Sequence, residues 1–220
     1  MKKENNIRAF LQRHKNSVLI QLVIIHIVGV VGLNLPATAP VFSQLSVFNL
    51  LLSAIIVALF HHHASRYALL FCVAVFLTGF LAEAIGVHTG YLFGDYYYTQ
   101  RLGWKVIEVP LIIGVNWIVL TYCTGLVVNR IGLRNEVLKV FTGASMMVLL
   151  DVLLEFFAVK HQLWVWLGQD YPGWDNFIGW FVVSLITHSF YRLWMSKSQN
   201  SMAIPYLLIL FVFLLTDFLW

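Results

Sequence analysis

The carboxylate residues Glu83, Asp151 and Glu155 lie inside long apolar stretches of this sequence. Asp151 and Glu155 are four residues apart in the stretch 137–158, and Glu83 lies near the end of the stretch 67–86. A carboxylate at the centre of a bilayer costs about 2.5–3.5 kcal/mol on insertion scales, so such groups face a bundle interior or a cavity. These residues are therefore the first candidates for a functional site.

The spacing of Asp151 and Glu155 indicates acid–base chemistry. Residues i and i+4 lie on the same face of a helix. Two carboxylates on one apolar face repel each other and lose solvation, so at least one of them is expected to keep its proton. A protonated carboxylic acid beside an ionised carboxylate can supply both the proton donor and the proton acceptor of one reaction.

The segment 83–110 joins two apolar stretches and is dense in glycine and tyrosine. It contains Asp95, a further carboxylate that could handle protons together with Glu83. His88 lies just before Thr89 and Gly90, and histidine can both gain and lose a proton near neutral pH. This segment is therefore predicted to contribute to the same site.

The composition predicts the kind of secondary structure that positions these carboxylates. Hydrophobic residues make up 60% and charged residues 11% of the 220 residues, whereas soluble domains carry about 45–50% and about 25%. Apolar stretches of about 20 residues predict transmembrane helices, which satisfy their own backbone hydrogen bonds. We therefore predict an all-α, polytopic membrane bundle that forms one domain, 1–220. Seven stretches qualify: 17–33, 42–60, 67–86, 110–129, 137–158, 175–194 and 203–219.

The basic residues predict the orientation. Eleven of the 14 Lys and Arg residues fall on one side if the N-terminus is cytoplasmic, against three on the other, as the positive-inside rule requires. We predict a multi-pass protein of the cell (inner) membrane, with a basic cytoplasmic segment at 1–16 and a long outer loop at 87–109. The first stretch also resembles a secretory signal, but Pro40 follows the Ala-x-Ala site and disfavours cleavage, so we expect a retained helix.

This orientation places the carboxylates of the apolar stretches near the outer side, although Asp217 is expected to be merely interfacial. Tryptophan and tyrosine are also concentrated there. An interfacial aromatic belt would populate both sides, so the surplus predicts an aromatic-walled opening, suited to a long apolar substrate or a developing cation. The residues concerned are Tyr91, Tyr96, Tyr97, Tyr98, Trp104, Trp164, Trp166, Trp174 and Trp180.

Other features indicate no further chemistry. The net charge of +4 does not indicate nucleic-acid binding, because the basic residues lie at predicted helix ends. Cys72 and Cys123 lie in apolar stretches without metal-type spacing and are predicted to be packing thiols. The run from His61 to His63 is expected to form a solvated turn, and no metal site is predicted.

Several ordered motifs resemble the integral-membrane carotenoid hydratases. The resemblance covers residues 80–182. It includes Asp151-x-x-x-Glu155, Trp164-x-Trp166, Pro172, Asn176 and Gly179-Trp180. It also includes Glu83-x-x-Gly86-x-x-Thr89-Gly90-x-x-Phe93-Gly94-x-Tyr96-x-Tyr98, Leu102-Gly103-x-Lys105, Val109-Pro110 and Trp117.

This resemblance implies addition of water across the terminal carbon–carbon double bond of an acyclic carotenoid end, without a cofactor or metal. A carboxylic acid would protonate the alkene, and water would capture the tertiary carbocation. We expect Asp151 and Glu155 to form the acid–base pair, with Glu83 or Asp95 as the other proton-handling group. The expected substrate-binding residues are Tyr96, His88, Asn116, Trp117, Asn176 and Trp180. Expected partners are the carotenoid, membrane lipid and, as candidates, other enzymes of the pathway.

A small-molecule or proton-coupled transporter is the alternative, because such proteins also place carboxylates within the membrane. Against it, no inverted repeat is visible and the acids lie near one end of the helices. A retinal protein would need a lysine in 203–219, which contains none. A prenyltransferase would need paired aspartate-rich motifs, which are also absent.

Overall fold

The computed structural model describes residues 9–62 and 65–220. Seven long α-helices account for most of that part of the chain, so the predicted all-α membrane bundle is confirmed. They are α1 (Lys15–Asn34), α2 (Ala39–Leu59), α3 (Arg66–Thr89), α4 (Leu111–Ile131), α5 (Glu136–Lys160), α6 (Trp174–Trp194) and α7 (Ala203–Leu219). Half of the basic N-terminal segment, 1–8, and His63 lie outside the described residues.

Five of these helices, α1 to α5, are long and apolar enough to cross a membrane. Of the five, α4 is the most enclosed and α2 the least, so α2 presents much of its surface to lipid. The shorter helix α7 is apolar and has 17 residues. Helix α6 is more polar, and its Asn176, Ser184 and His188 are buried inside the bundle.

The end of α3 determines where the following loop begins. Gly90 caps the helix with a φ of 70°, a left-handed conformation that favours glycine. The chain then turns back, so a Cβ at position 90 would meet the carboxylate of Asp95. Gly179 of α6 allows an equally close approach, because a Cβ there would meet the backbone carbonyl of Leu92. The loop therefore packs directly on the ends of α3 and α6.

Two short strand pairs lie in the connections beyond the ends of α3 and α5, where no strands were expected. Strand β1 (Tyr96–Tyr98) pairs antiparallel with β4 (Trp164–Trp166), the first residue of each opposite the last residue of the other. Strands β2 (Lys105–Val106) and β3 (Val109–Pro110) form a hairpin. Because strand residues alternate in direction, Tyr96 and Tyr98 are buried whereas Tyr97 is exposed.

Asp217 joins three helix ends, and the prediction that it is merely interfacial is wrong. Its side chain is fully buried. Oδ1 lies 2.7 Å from Nδ2 of Asn34 and 2.9 Å from Nε2 of His161. Nζ of Lys160 lies 3.6 Å from Oδ2. These contacts connect the C-terminal ends of α1, α5 and α7, because a buried carboxylate requires donors and opposite charge.

Candidate active site

Glu83 lies six residues before the end of α3 and is almost completely buried. Its Oε2 accepts hydrogen bonds from the hydroxyls of Tyr96 at 2.5 Å and Tyr98 at 2.7 Å. Its Oε1 accepts one from the indole N–H of Trp117 at 3.2 Å. These three donors replace part of the hydration that a carboxylate loses on burial.

The two tyrosines of β1 are suited to this donor role. Burial raises the pKa of Tyr96 and of Tyr98 well above the ordinary value, and the neighbouring negative charge of Glu83 raises both further. Both hydroxyls therefore keep their protons at physiological pH and can donate to the carboxylate.

Glu155 lies five residues before the end of α5 and is held in a similar way by indole groups. Its Oε2 accepts hydrogen bonds from the Nε1 atoms of Trp164 and Trp166, each at 3.0 Å. Both tryptophans belong to β4, which pairs with β1. One small sheet therefore supplies two donors to Glu83 and two to Glu155.

Asp151 lies one turn from Glu155 and is linked to it through Asn176 of α6. The amide Nδ2 donates to Oδ2 of Asp151 at 2.8 Å and, more weakly, to Oε1 of Glu155 at 3.4 Å. The other Asp151 oxygen, Oδ1, is buried without a hydrogen-bond partner in the described part of the chain. Two carboxylates thus share one amide donor in a buried environment, which favours a proton on one of them.

Aromatic rings surround the carboxylates. Trp117 and Trp180 stack with their ring centroids 4.3 Å apart and an interplanar angle of 22°. Gly79 makes room for this stack, because a Cβ there would meet the indole of Trp117. Across the small sheet, Tyr96 and Trp166 have centroids 5.1 Å apart. Such rings offer apolar surface and an electron-rich face to a cation.

A cavity of about 440 Å³ reaches both glutamates. Glu83 and Glu155 line it together with Tyr96, Trp166 and Trp180, and most of its other lining residues are apolar. The cavity extends between α1 and α2, where Val28 and Phe48 line it and are also exposed on the bundle surface. It therefore leads from the buried carboxylates to the face of the bundle that contacts lipid.

The structure brings most of the predicted site residues together. Asn116 and Asn176 line the cavity with the two glutamates, whereas Trp117 and Asp151 lie behind its wall, in contact with the lining residues. His88 and Asp95 are exposed and do not line the cavity.

Tyr98, Trp164 and Trp166 donate to the carboxylates but were not among the predicted site residues. Their alternation, Tyr96-x-Tyr98 and Trp164-x-Trp166, is the signal that could have indicated two strands with one inward face. Among the described residues, no group of three or more His, Cys, Asp or Glu is arranged to hold a metal ion.

Comparison with known proteins identifies one matching family. A family model described as "Carotenoid biosynthesis protein" matches residues 44–220, which include both glutamates, the small sheet and helices α3 to α7. No curated protein and no solved structure matches the chain. Because the match spans most of the sequence, the chain belongs to the carotenoid biosynthesis protein family.

Proposed function

We propose that this protein adds water across the terminal carbon–carbon double bond of an acyclic carotenoid end group. The observation that carries the proposal is that Glu83 and Glu155, from different helices, line one largely apolar cavity in a member of a carotenoid biosynthesis family. Hydration of an alkene needs a proton donor for one carbon and a proton acceptor for the attacking water. Two carboxylates in a water-poor cavity can supply both.

The apolar lining of the cavity and its opening towards lipid favour a lipid-soluble substrate. Its lining between α1 and α2 is continuous with the exposed apolar surface formed by residues such as Val28 and Phe48. A polyene dissolved in the bilayer can therefore enter sideways and place one end near the glutamates, with the rest of its length remaining in lipid.

We assign the proton donor to Glu155. Its partner Asp151 is a second buried carboxylate one helical turn away, and both share the amide of Asn176. Repulsion between the two favours the state in which one proton is retained. In the first step the π electrons of the terminal double bond take the proton of Glu155, which leaves a tertiary carbocation and an ionised carboxylate.

We assign the proton acceptor to Glu83. Its three partners, Tyr96, Tyr98 and Trp117, all donate and none of them is shared with a second carboxylate, which suits an ionised carboxylate. A water oxygen forms the new carbon–oxygen bond with its lone pair, and Glu83 takes the proton that this water loses. Return of that proton to Glu155 through water restores the starting state, and the net change is addition of one water molecule.

The aromatic lining supports the cationic intermediate. The rings of Tyr96, Trp166 and Trp180 line the cavity beside the glutamates. Their π faces stabilise positive charge, and their bulk restricts the number of water molecules that reach it. Capture by one positioned water then competes with proton loss, which would regenerate an alkene.

The test is expression of the chain in a bacterium that accumulates an acyclic carotenoid such as lycopene, followed by mass analysis of the pigments. We expect a product heavier by one water molecule. Glu83→Gln and Glu155→Gln should each reduce its formation by at least about a hundredfold, since general acid–base catalysis contributes about 10²–10⁴-fold.

Asp175→Asn is the matched control, because Asp175 is an exposed acid next to Asn176. This variant should form product at the normal rate. Unchanged pigment with every acyclic carotenoid tested, despite normal amounts of protein in the membrane, would exclude hydration and favour a transport role.

A further inference from the structure

Helix α4 presents an amide side chain to the cavity. Asn116 is half-buried and lines the cavity. Within the described part of the chain, its side chain makes no hydrogen bond. The preceding turn of α4 contributes Ile112 and Ile113 to the same lining, so Asn116 is a polar group on an otherwise apolar helix face. The proton transfers assigned to the two glutamates do not use it.

The amide of Asn116 is suited to hold a water molecule. An amide that loses hydration without gaining another hydrogen bond destabilises a protein. Asn176 of α6 avoids this cost by donating to Asp151 and Glu155, whereas Asn116 bonds to neither carboxylate. A water molecule in the cavity would satisfy Asn116. Because an enclosed water needs about two to four polar partners, a second polar group must lie close to this amide.

The second polar group is Glu83, which Trp117 places at the depth of Asn116. The indole N–H of Trp117 donates to Oε1 of Glu83 at 3.2 Å. Consecutive residues of a helix differ by only about 1.5 Å in depth and by about 100° in direction. Trp117 packs against α3, where a Cβ at Gly79 would meet its ring, and Asn116 faces the cavity at nearly the same depth. The amide and the carboxylate therefore border the same part of the cavity.

One oxygen of Glu83 can accept a further hydrogen bond. Its Oε2 accepts from both Tyr96 and Tyr98. In the described part of the chain, its Oε1 accepts from Trp117 alone. Because a carboxylate oxygen offers about two acceptor positions, Oε1 can take one more donor. This oxygen is the one on the side of α4, where Asn116 lies.

We infer that Asn116 holds the water molecule that attacks the carbocation. This water donates one hydrogen to Oδ1 of Asn116 and the other to Oε1 of Glu83. Both lone pairs of the water oxygen then remain free. One of them forms the bond to carbon, and Glu83 takes the proton that it shares with the water. The inference rests on the proposed function, to which it adds the group that positions the nucleophile.

The test measures the two fates of the carbocation in deuterated water, with the purified protein in lipid vesicles that contain lycopene. Glu155 delivers a deuteron to the alkene in either case. Capture by water gives the hydrated carotenoid. Without capture, the cation loses a proton from a neighbouring carbon, and the electrons of that carbon–hydrogen bond form a double bond. The recovered carotenoid then carries one deuterium in place of hydrogen and no added oxygen, which mass analysis distinguishes from the hydrated product.

Asn116→Leu should lower the ratio of hydrated to deuterium-exchanged carotenoid about two- to tenfold, which corresponds to the net contribution of one hydrogen bond. Both products follow the same first step, so this ratio does not depend on the amount of folded protein. Asn116→Val should give the same result with a less bulky side chain. Ser46→Ala is the control, because Ser46 lines the same cavity but its hydroxyl already donates to the carbonyl of Phe42. That variant should keep the wild-type ratio.

An unchanged ratio in both Asn116 variants would overturn the inference even if total turnover fell, since the amide would then serve packing or carotenoid binding. An equal fall of the ratio in Ser46→Ala would also overturn it, because the effect would not be specific to Asn116. Hydration by the wild-type protein with either of these results would reject only the water site. A wild-type protein that forms no hydrated carotenoid would reject the proposed function, and the water site with it.

Discussion

The tyrosines of β1 allow the role of Glu83 to be tested without touching a carboxylate. We predict that Tyr98→Phe, and separately Tyr96→Phe, slows product formation strongly. Each substitution removes one hydroxyl donor, at 2.7 Å and 2.5 Å from Oε2 of Glu83 respectively, and leaves the ring in place. The contact between Tyr98 and Trp164, with centroids 5.8 Å apart, involves the ring alone and should survive.

The magnitude follows from the kind of hydrogen bond that is lost. Hydrogen bonds to charged groups contribute about 1.5–3 kcal/mol. Loss of one donor destabilises the ionised carboxylate of Glu83 by this amount relative to its protonated form, and only the ionised form can accept the proton of the attacking water. Because each 1.36 kcal/mol corresponds to a factor of ten in rate, each variant should be about ten- to a hundredfold slower.

The assay is the initial rate of water addition in isolated membranes, normalised to the amount of folded protein. Tyr97→Phe is a closely matched control, because Tyr97 lies between the two in the same strand and is 47% exposed on its other face. It should retain the normal rate. Full activity in both Tyr96→Phe and Tyr98→Phe would refute the reasoning, since the ionised form of Glu83 would then not matter to the reaction.

Two further predictions concern the other carboxylate and the aromatic wall. Asn176→Leu removes the amide that bridges the carboxylates of α5 and keeps a branched side chain of similar outline. Activity should fall at least tenfold in the membrane assay, and normal activity would contradict the bridging role. Gly79→Ala places a methyl group against Trp117, so overpacking should destabilise the protein by about 1–3 kcal/mol in thermal unfolding. Unchanged stability would show that the stacked wall adjusts freely.

The helices and the carboxylates could be predicted because both are local signals. A carboxylate inside a 20-residue apolar stretch must face a protein interior, and this argument identified Glu83, Asp151 and Glu155. Which of them reaches the cavity depends on how the other helices pack. Asp151 shares a helix face with Glu155, yet α6 and its Asn176 lie over it, and such packing depends on residues distant in sequence.

His88 shows how helix geometry limits a sequence argument. It follows Glu83 by five residues, and at 100° per residue this rotation places it about 140° from Glu83 around α3. The side chain is accordingly exposed. Nearness in sequence to Glu83 suggested that His88 contributes to the same site, whereas the period of the helix points the imidazole away from the carboxylate.

The pairing of β1 with β4 was not predictable from local propensity, because the two strands are short and far apart in the chain. Strand β1 at Tyr96–Tyr98 and β4 at Trp164–Trp166 become stable only when they meet across the end of the bundle. Their pairing is what delivers two hydroxyl donors to Glu83 and two indole donors to Glu155.

Glu83 and Glu155 differ in their hydrogen-bond donors, and this difference supports separate roles for the two glutamates. Glu83 is surrounded by three donors of its own, whereas Glu155 shares one of its donors with a second carboxylate, Asp151. Glu83 and Glu155 are almost equally buried, yet their electrostatic environments differ. The negative charge of Asp151 favours a retained proton beside it, whereas the additional donors favour the ionised form of Glu83. A site that must protonate an alkene and then deprotonate water needs this inequality before the substrate arrives. The β1–β4 sheet supplies two donors to each glutamate, so the inequality arises from Trp117 beside Glu83 and from Asp151 and Asn176 beside Glu155.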